Sequence, residues 1–272
     1  MAIKIGGTTV IDDNRNLVNI VSGAGSSLPQ WDPSSTPDVT YTTTSTWNKP
    51  SSLGSSDWVV FYMVGGGGAA VTGSWSTGGN GASAYVFAAK AGTLPSSITF
   101  NIGAGGAGGN HGTTAPDGGD TTATINGRTY KATGGYGGFG NTSNYTSQLN
   151  TISQALGSYT VPYDGTSPYD YDGAATKGGQ GTKGPSGSAY TTATAFTGAN
   201  SVLAGGGGCG SVLASTAGSG GTSTYAGNGG SCNQGTIAGN SGGVPGGGGG
   251  SDYSTSSQGG SGGSGSVRIY YV

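Results

Sequence analysis

The side chains that could do chemistry in this sequence are few. His111 is the only histidine, and all eleven acidic residues are aspartates. A serine nucleophile would need His111 as its base, but this histidine lies in a glycine-rich turn with nothing nearby in the sequence to orient it. Paired aspartates could hydrolyse a glycosidic bond, although the sequence lacks the repeats of a β-helix. We therefore expect no enzymatic activity, no catalytic residue and an exposed loop position for His111.

Three glycines have the spacing of a dinucleotide-binding loop. Gly103, Gly105 and Gly108 follow the strand-like stretch SITFNI. That loop offers N–H groups to a pyrophosphate only when a helix begins immediately after it. The stretch that follows, GNHGTTAPDGGD, cannot form that helix because of its glycines and its proline. We expect no nucleotide cofactor.

Aspartate and cysteine spacing gives little support for a metal site. Asp170, Asp172 and Gly173 imitate the opening of a calcium loop, but the bidentate glutamate that ends such a loop is absent. Cys209 and Cys232 are too few for a disulfide framework and lack the spacing of a zinc site. We expect no metal, with calcium as a minor alternative. We also expect two reduced, buried cysteines, with a single disulfide as the alternative.

The segment most suited to binding is SYTVPYDGTSPYDYDG, residues 158–173. Tyrosine offers a large, stiff contact surface at a low cost in entropy, and small polar residues adapt around it. Aromatic faces beside carboxylates also suit sugars. The alternative is that these tyrosines pack on the glycine-rich region or on a sister subunit. The candidate receptor-binding residues are Tyr159, Tyr163, Asp164, Tyr169, Asp170, Tyr171 and Asp172.

Composition excludes several classes of protein. The 272 residues include 62 glycines, but also 15 tyrosines and four tryptophans, and only 7% of residues are charged. Disordered chains have few aromatic residues and high net charge, so a folded body is expected. The net charge of -2 gives no basic surface for nucleic acid. No apolar stretch is long enough for a membrane span, and the start lacks the apolar core of a signal peptide.

The elements that must position any site are strands. Threonine, tyrosine and valine dominate between the glycines, which disfavours helices. Seven stretches have the length and content of strands: VTYTTTSTW, DWVVFYMV, ASAYVFAAK, SITFNI, TTATI, RTYKAT and SVRIYYV. Because the last strand must return to the others, these stretches predict an all-β sandwich over residues 39–272, with glycine-rich insertions mainly at 134–263.

The glycine-rich insertions need a source of order. Glycine loses more conformational entropy on folding than any other residue. A left-handed helix with three residues per turn has no internal hydrogen bonds, so neighbouring glycine helices can pack closely and exchange backbone hydrogen bonds. We predict a bundle of such polyglycine II helices. Collagen is excluded because glycine does not occur strictly at every third residue.

Residues 1–38 predict a separate assembly segment and linker. Residues 3–11 and 17–21 have strand-like content, and an Asp- and Asn-rich turn joins them. A hairpin this small is marginal alone, so we expect it to pair with copies of itself or with another protein. Residues 22–38 contain three prolines and are typical of a linker. The apolar residues assigned to assembly are Ile3, Ile5, Val10, Ile11, Leu17, Val18 and Ile20.

Two parts of the sequence resemble known proteins. The leader MAIKIGGTTVIDDNRNLVNI resembles a segment of tail-fibre and related virion proteins of tailed bacteriophages, particularly those of cyanobacteria. The second part resembles the glycine-rich domain found in many phage fibres and covers most of residues 39–272. Its motifs are STWNKP, WVVFYMVGGGG, ITFNIGAGGAGG, YKATGGYGG and GGSGGSGSVRIYYV.

This resemblance implies a fold, a location and partners. The implied fold is a jelly-roll-like sandwich coupled to polyglycine II helices. The implied protein is a virion structural subunit, made in the host cytoplasm and assembled as a homotrimer through its leader with other tail or fibre proteins. A tail fibre or fibre tip would act as an adhesin in host attachment, with a surface polysaccharide or outer-membrane protein as receptor. The alternative is an architectural head fibre, capsid decoration or connector protein.

Overall fold

The molecule is almost entirely β-strand, turn and extended chain. The structure, a computed structural model, describes residues 3–5, 8–11, 31–73, 76–140, 175–176, 197–210, 218–232, 238–252 and 257–272. Within these residues the only helix is a single 3-10 turn, Ala91–Thr93. The predicted all-β class is confirmed.

The N-terminal hairpin forms from different strands than predicted. Strand β1 (Ile3–Ile5) pairs antiparallel with β2 (Thr8–Ile11), so that Ile3 lies opposite Ile11. The prediction of one strand over residues 3–11 is therefore wrong. Two adjacent glycines, Gly6 and Gly7, separate the strands in the sequence, and Gly-Gly between β-branched runs is a hairpin signal. The remaining assembly candidates, Leu17, Val18 and Ile20, lie outside the described residues.

Nine further strands form two antiparallel sheets. The larger sheet has the order β10-β6-β5-β11-β3 and the smaller has the order β4-β7-β8-β9. The strands of the larger sheet are β3 (Val39–Tyr41), β5 (Trp58–Val64), β6 (Ala84–Lys90), β10 (Ala175–Thr176) and β11 (Ser266–Tyr271). Those of the smaller sheet are β4 (Ser45–Asn48), β7 (Ser97–Asn101), β8 (Thr121–Ile125) and β9 (Arg128–Ala132). As predicted, the last strand returns to the sheet and lies between β5 and β3.

Aromatic side chains from both sheets fill the space between them. Phe87 stacks on Phe61 with ring centroids 4.7 Å apart and on Tyr130 at 4.3 Å. Trp47 meets Phe61 edge-on at 5.7 Å. Strand β7 alternates: Ile98 and Phe100 are buried, and its other side chains are exposed. The two sheets therefore form a sandwich with one continuous core.

The other face of the larger sheet is also covered, which explains the continuous apolar sequence of β5 and β6. The ring of Trp31 lies 5.7 Å from Tyr62 and 5.5 Å from Tyr270. The Tyr62 hydroxyl donates to the carbonyl of Leu203, from the glycine-rich region. The guanidinium of Arg268 lies over the Tyr62 ring at 5.6 Å. This second apolar layer joins the sheet to Trp31, which precedes it, and to the glycine-rich region between β10 and β11.

The described end of the predicted linker packs on the sandwich. The Asp38 N–H donates to the carbonyl of Ile269, and its carboxylate accepts from the Tyr271 N–H at 2.7 Å. Trp31 packs on the second apolar layer. The described end of the predicted linker is therefore held against the sandwich at Trp31 by apolar contact and at Asp38 by hydrogen bonds. Proline content alone did not reveal this anchoring.

Buried tyrosines predict a loss of stability in alkali. Burial raises the pKa of Tyr62 strongly although Arg268 opposes the change, and burial also raises the pKa of Tyr270. Unfolded tyrosine ionises near pH 10. The stabilisation is therefore complete below about pH 10 and is lost as the pH rises towards the folded-state values. Tyrosinate absorbance should rise for these residues together with loss of circular dichroism. Ionisation of every tyrosine near pH 10 in a still-folded protein would contradict this.

Eleven glycine-rich segments form an array at one end of the sandwich. They are A (65–73), B (76–83), C (102–110), D (114–120), E (133–140), F (204–210), G (218–222), H (226–232), I (238–243), J (245–252) and K (257–265). Segments A, C and E continue strands β5, β7 and β9, whereas B, D and K lead into β6, β8 and β11. Segments A to D come before residue 134, so the prediction that the insertions lie mainly at 134–263 misses a third of the array.

Hydrogen bonds between segments repeat every three residues. Successive N–H groups of segment A donate to three neighbours: Gly65 and Gly68 to B, Gly66 and Ala69 to D, and Gly67 and Ala70 to K. A three-residue repeat is that of a polyproline-type helix, which leaves its backbone groups free for neighbours. The predicted lateral bonding between glycine segments is present. The polyglycine II conformation itself stays a prediction.

Two segments occupy the centre of the array. Segment A donates to B, D, K and J and accepts from C, E and J, which gives it six bonded neighbours. Segment J is bonded to A, B, F, H, I and K. Eight of the other segments form a closed ring, in which B, F, H, I, K, C, D and E are each bonded to the next. Segment G lies outside the ring against F and H. This is hexagonal packing around two adjacent centres.

Close backbone approach explains why the centre is glycine. A Cβ added to Gly66 would lie 2.1 Å from the carbonyl oxygen of Ala104. Ring segments other than F, in contrast, carry a side chain at the outward position of each turn, whereas F is covered by G and is buried throughout. In segment C, Ala104 and Ala107 are exposed while Gly103 and Gly106 are buried. Glycine in the ring is thus required at inward positions, and a side chain is accepted at every third residue.

Candidate functional site at the loop-bearing end of the array

The connections from A to B, C to D, F to G, H to I and J to K leave the array at the end away from the sandwich, which we call the loop-bearing end. Those from G to H and from I to J lie against the sandwich. Six segments begin or finish at strands, so their other ends lie there. Backbone bonds tie these ends together: Gly73 N–H donates to the Asp252 carbonyl, Gly140 N–H to Thr113, Ser251 N–H to Cys209 and Cys232 N–H to Gly218. The arrangement forms a platform of segment ends.

Most connections at this platform fall outside the described residues. The described chain stops at this end before residues 74–75, 141–174, 211–217, 233–237 and 253–256. The predicted binding segment, 158–173, is among them, so the structure shows where the flanking chain leaves the array at Gly140 and not where the candidates lie. These unplaced candidates are Tyr159, Tyr163, Asp164, Tyr169, Asp170, Tyr171 and Asp172. They stay predictions.

The connection between segments C and D is described and carries His111. This residue is exposed in a turn that follows Asn110, as predicted. Its ring lies close to Gly73, where an added Cβ would come within 2.2 Å of the imidazole Cδ2. Residues 103–109 form no helix, so the dinucleotide-like spacing serves the array. It places Gly103 at a buried position and Gly105 and Gly108 at half-buried positions of segment C.

A disulfide lies at the platform. Cys209 of segment F is bonded to Cys232 of segment H, with Cα atoms 5.6 Å apart. The expectation of reduced cysteines is wrong, because hydrogen bonding places F and H side by side. The Gly206 and Cys209 N–H groups donate to Gly227 and Gly230. Both cysteines are fully buried, in the last layer before the chain leaves the array.

Aspartates supply acceptors at the edge of the array. The N–H groups of Gly134 and Gly137 point out of segment E and donate to the carboxylates of Asp120 (2.9 Å) and Asp117 (2.7 Å). The Asp120 carboxylate also pairs with Lys131 at 2.9 Å. The three-residue spacing of the aspartates matches that of the glycines. At these positions no further segment packs, and the aspartate carboxylates accept the hydrogen bonds that a neighbouring backbone would otherwise accept.

Removing one edge carboxylate should destabilise the domain measurably. In Asp117→Ala the buried N–H of Gly137 loses its acceptor, and we expect a loss of about 1 to 2 kcal/mol in the free energy of unfolding. Asp117→Asn keeps an oxygen acceptor and should lose less. Denaturant midpoints of the two variants check this. Equal effects of the two substitutions would show that the carboxylate does not act as the hydrogen-bond acceptor of Gly137.

The described residues show neither a metal centre nor a bilayer-spanning helix. No group of three or more His, Cys or Asp side chains among them is arranged to hold an ion. Nor does the described part contain a helix with the length and apolarity needed to cross a bilayer. The calcium-like Asp170 and Asp172 lie outside the described residues.

The N-terminal part of the chain reaches the sandwich away from the platform. Strand β11 starts beside the array at Ser266 and ends at Tyr271 on the far side. Asp38 is bonded to Ile269 and Tyr271, near that far end. Asp38 therefore joins the sandwich at the end away from the platform, whereas Trp31, which precedes it, lies on the sheet face beside Tyr62 and Tyr270.

Comparison with protein families agrees with this architecture. A family model described as a glycine-rich domain matches residues 39–272. The chain belongs to the glycine-rich domain family. The comparison with curated proteins returns no match. The match begins at Val39, the first residue of β3, so the glycine-rich domain comprises both the sandwich and the array.

One sequence signal in the glycine-rich domain could have located the segments. Ring segments other than F carry a larger residue every third position, such as Tyr136 and Phe139 in GGYGGFG or Ser261 and Ser264 in GGSGGSG. Central segments, such as PGGGGG, have none. The period therefore distinguishes segments at the surface of the array from those at its centre. It applies equally to segment C, which the prediction left out of the array.

Proposed function

We propose that this glycine-rich domain protein is a structural attachment subunit of a tailed bacteriophage particle. The sandwich and array are the scaffold, and the connections at the loop-bearing end bind a host-surface glycan or outer-membrane protein. The leader joins the subunit to further copies, as a homotrimer, and to other tail or fibre proteins. In this proposal the protein is an adhesin and not an enzyme.

The observation that carries the proposal is the polarity of the domain. The chain joins the sandwich at Asp38, which is bonded to Ile269 and Tyr271, whereas the connections from A to B, C to D, F to G, H to I and J to K leave the array at its opposite end. A subunit anchored through its leader would thus direct these connections outwards. Recognition residues are commonly carried by loops on a rigid scaffold. The assignment to a phage particle is supported by the resemblance of the leader to phage virion proteins.

An adsorption experiment tests the proposal. The recombinant full-length protein should compete with phage for binding to susceptible cells, because it would occupy the receptor. Replacing residues 158–173 by a Gly/Ser stretch of equal length should abolish competition. A matched control, Thr99→Ala on the exposed face of the smaller sheet, should compete fully. Full competition by the replaced protein would remove the binding role from residues 158–173.

The particle location is tested separately. Antibody against the domain, seen by electron microscopy on intact virions, should label the tail. Label on the capsid would contradict the adhesin role and favour that of a head fibre or capsid decoration protein. Release of reducing sugar from host polysaccharide by the purified protein would contradict the non-enzymatic assignment.

A further inference from the structure

Segments F to J lack the support that the rest of the array has. Segments A to E and K each continue a strand of the sandwich, so burial of the aromatic core also fixes their position. No strand of the described residues borders F, G, H, I or J. These five segments are held by backbone bonds to the array and by contacts such as that of Leu203 with Tyr62. Because J lies at the centre of the array with six bonded neighbours, F, G, H and I form the part with the weakest connection to the core.

The disulfide joins two of these unsupported segments. Cys209 and Cys232 cross-link F and H, and segment G is bonded to both, through Gly221 to Gly207 and through Cys232 to Gly218. Because the sequence has only these two cysteines, no other pairing within the chain competes. A cross-link restricts the open states of the segments that it joins. Its position beside residues 211 and 233 places that restriction at the loop-bearing end.

We propose that oxidation of Cys209 and Cys232 is a separate maturation step that locks segments F, G and H. The sandwich and segments A to E fold without it. A small-molecule disulfide, such as oxidised glutathione, is the oxidant. Its S–S bond breaks and the Cys209–Cys232 bond forms, two electrons pass to the small disulfide, and the two thiol protons end on the two released small thiols.

Burial makes the lock persistent. Cys209 is 0% exposed and Cys232 is 1% exposed. Thiol–disulfide exchange requires a thiolate to reach one of the two sulfur atoms. A reductant reaches this bond only after F and H separate. A chain made in a reducing compartment would therefore carry the dithiol, and after transfer to an oxidising medium it would keep the disulfide. This inference does not depend on the identity of the receptor or of the particle.

Amide hydrogen exchange of the full chain, in dithiol and disulfide forms, tests the proposal. In the dithiol form, the amides of Gly206, Cys209 and Gly230 should exchange at least about 30-fold faster than in the disulfide form. This factor corresponds to the lower end of the stabilisation that a disulfide commonly contributes. Gly66 and Gly135, in segments A and E, should keep their rates. A variant with both Cys209→Ser and Cys232→Ser should match the dithiol form, with or without reductant.

Three outcomes would overturn the proposal. Equal exchange in the two forms would show that the disulfide locks nothing. Equal acceleration at Gly66 and at Gly206 would show that the bond supports the whole domain and not one part of it. A dithiol form without the circular dichroism of the sandwich would show that the sandwich does not fold first. If the disulfide form showed the expected exchange pattern but did not compete with phage, the proposed function would be contradicted and the locking of F, G and H would stand.

Discussion

Gly66→Ala is expected to prevent the domain from folding stably. The new Cβ would lie 2.1 Å from the Ala104 carbonyl oxygen and 2.6 Å from its carbon, both backbone atoms of segment C. Because Gly66 lies in a segment with six bonded neighbours, its surroundings cannot move apart without breaking bonds to several of them. We expect the free energy of unfolding to fall by more than about 4 kcal/mol, a loss typical of severe packing defects. Thermal unfolding and the yield of soluble protein measure it.

The matched control is Gly54→Ala. An added Cβ there would meet the Asp57 carboxylate at 3.4 Å, an ordinary contact in a surface turn. The effect should stay within about 0.5 kcal/mol. If Gly66→Ala were as stable as Gly54→Ala, segment A could not lie at the centre of a close-packed array.

Phe87→Ala is expected to unfold the sandwich and the array together. The Phe87 ring is fully buried and stacks between Phe61 and Tyr130. Truncation of such a residue typically costs about 3 to 5 kcal/mol in transfer and cavity terms. Strand β6, which carries Phe87, is continuous with segment B, so loss of the strand removes an anchor of the array. Denaturant unfolding followed by Trp fluorescence and by glycine amide exchange should report one transition.

The exposed face of the smaller sheet provides the comparison for this core substitution. Thr99 is exposed and its hydroxyl is 3.0 Å from that of Thr46. Thr99→Ala should change stability by no more than about 0.5 kcal/mol. Survival of the array in Phe87→Ala after the sandwich has unfolded would refute the coupling between them.

The sandwich was predictable because its signals are local. Strands such as SITFNI alternate inward and outward residues, and DWVVFYMV has the continuous apolar content of a strand buried on both faces. The extent of the array was harder to predict. Four glycines after β5 look like a loop until segments far apart in sequence, such as K and A, are known to be bonded.

The cysteines were mispredicted, and the packing of Trp31 was not foreseen, for related reasons. Nothing near Cys209 in sequence indicates that segment H will lie beside it, since that proximity comes from the order of segments in the ring. Trp31 lies among prolines, and only the folded sheet shows the rings of Tyr62 and Tyr270 on which it packs. The binding candidates at 158–173 depend on contacts that the described residues do not include.

Amide exchange at the centre of the array tests the scaffold most directly. The N–H groups of Gly67 and Gly68 in segment A and of Gly248 and Gly249 in segment J all donate to neighbouring segments. They should exchange only through global unfolding, at the same rate as Phe61 in β5. Exchange of these four amides at the rate of an unstructured peptide, in a protein whose Phe61 is protected, would contradict a hydrogen-bonded glycine scaffold.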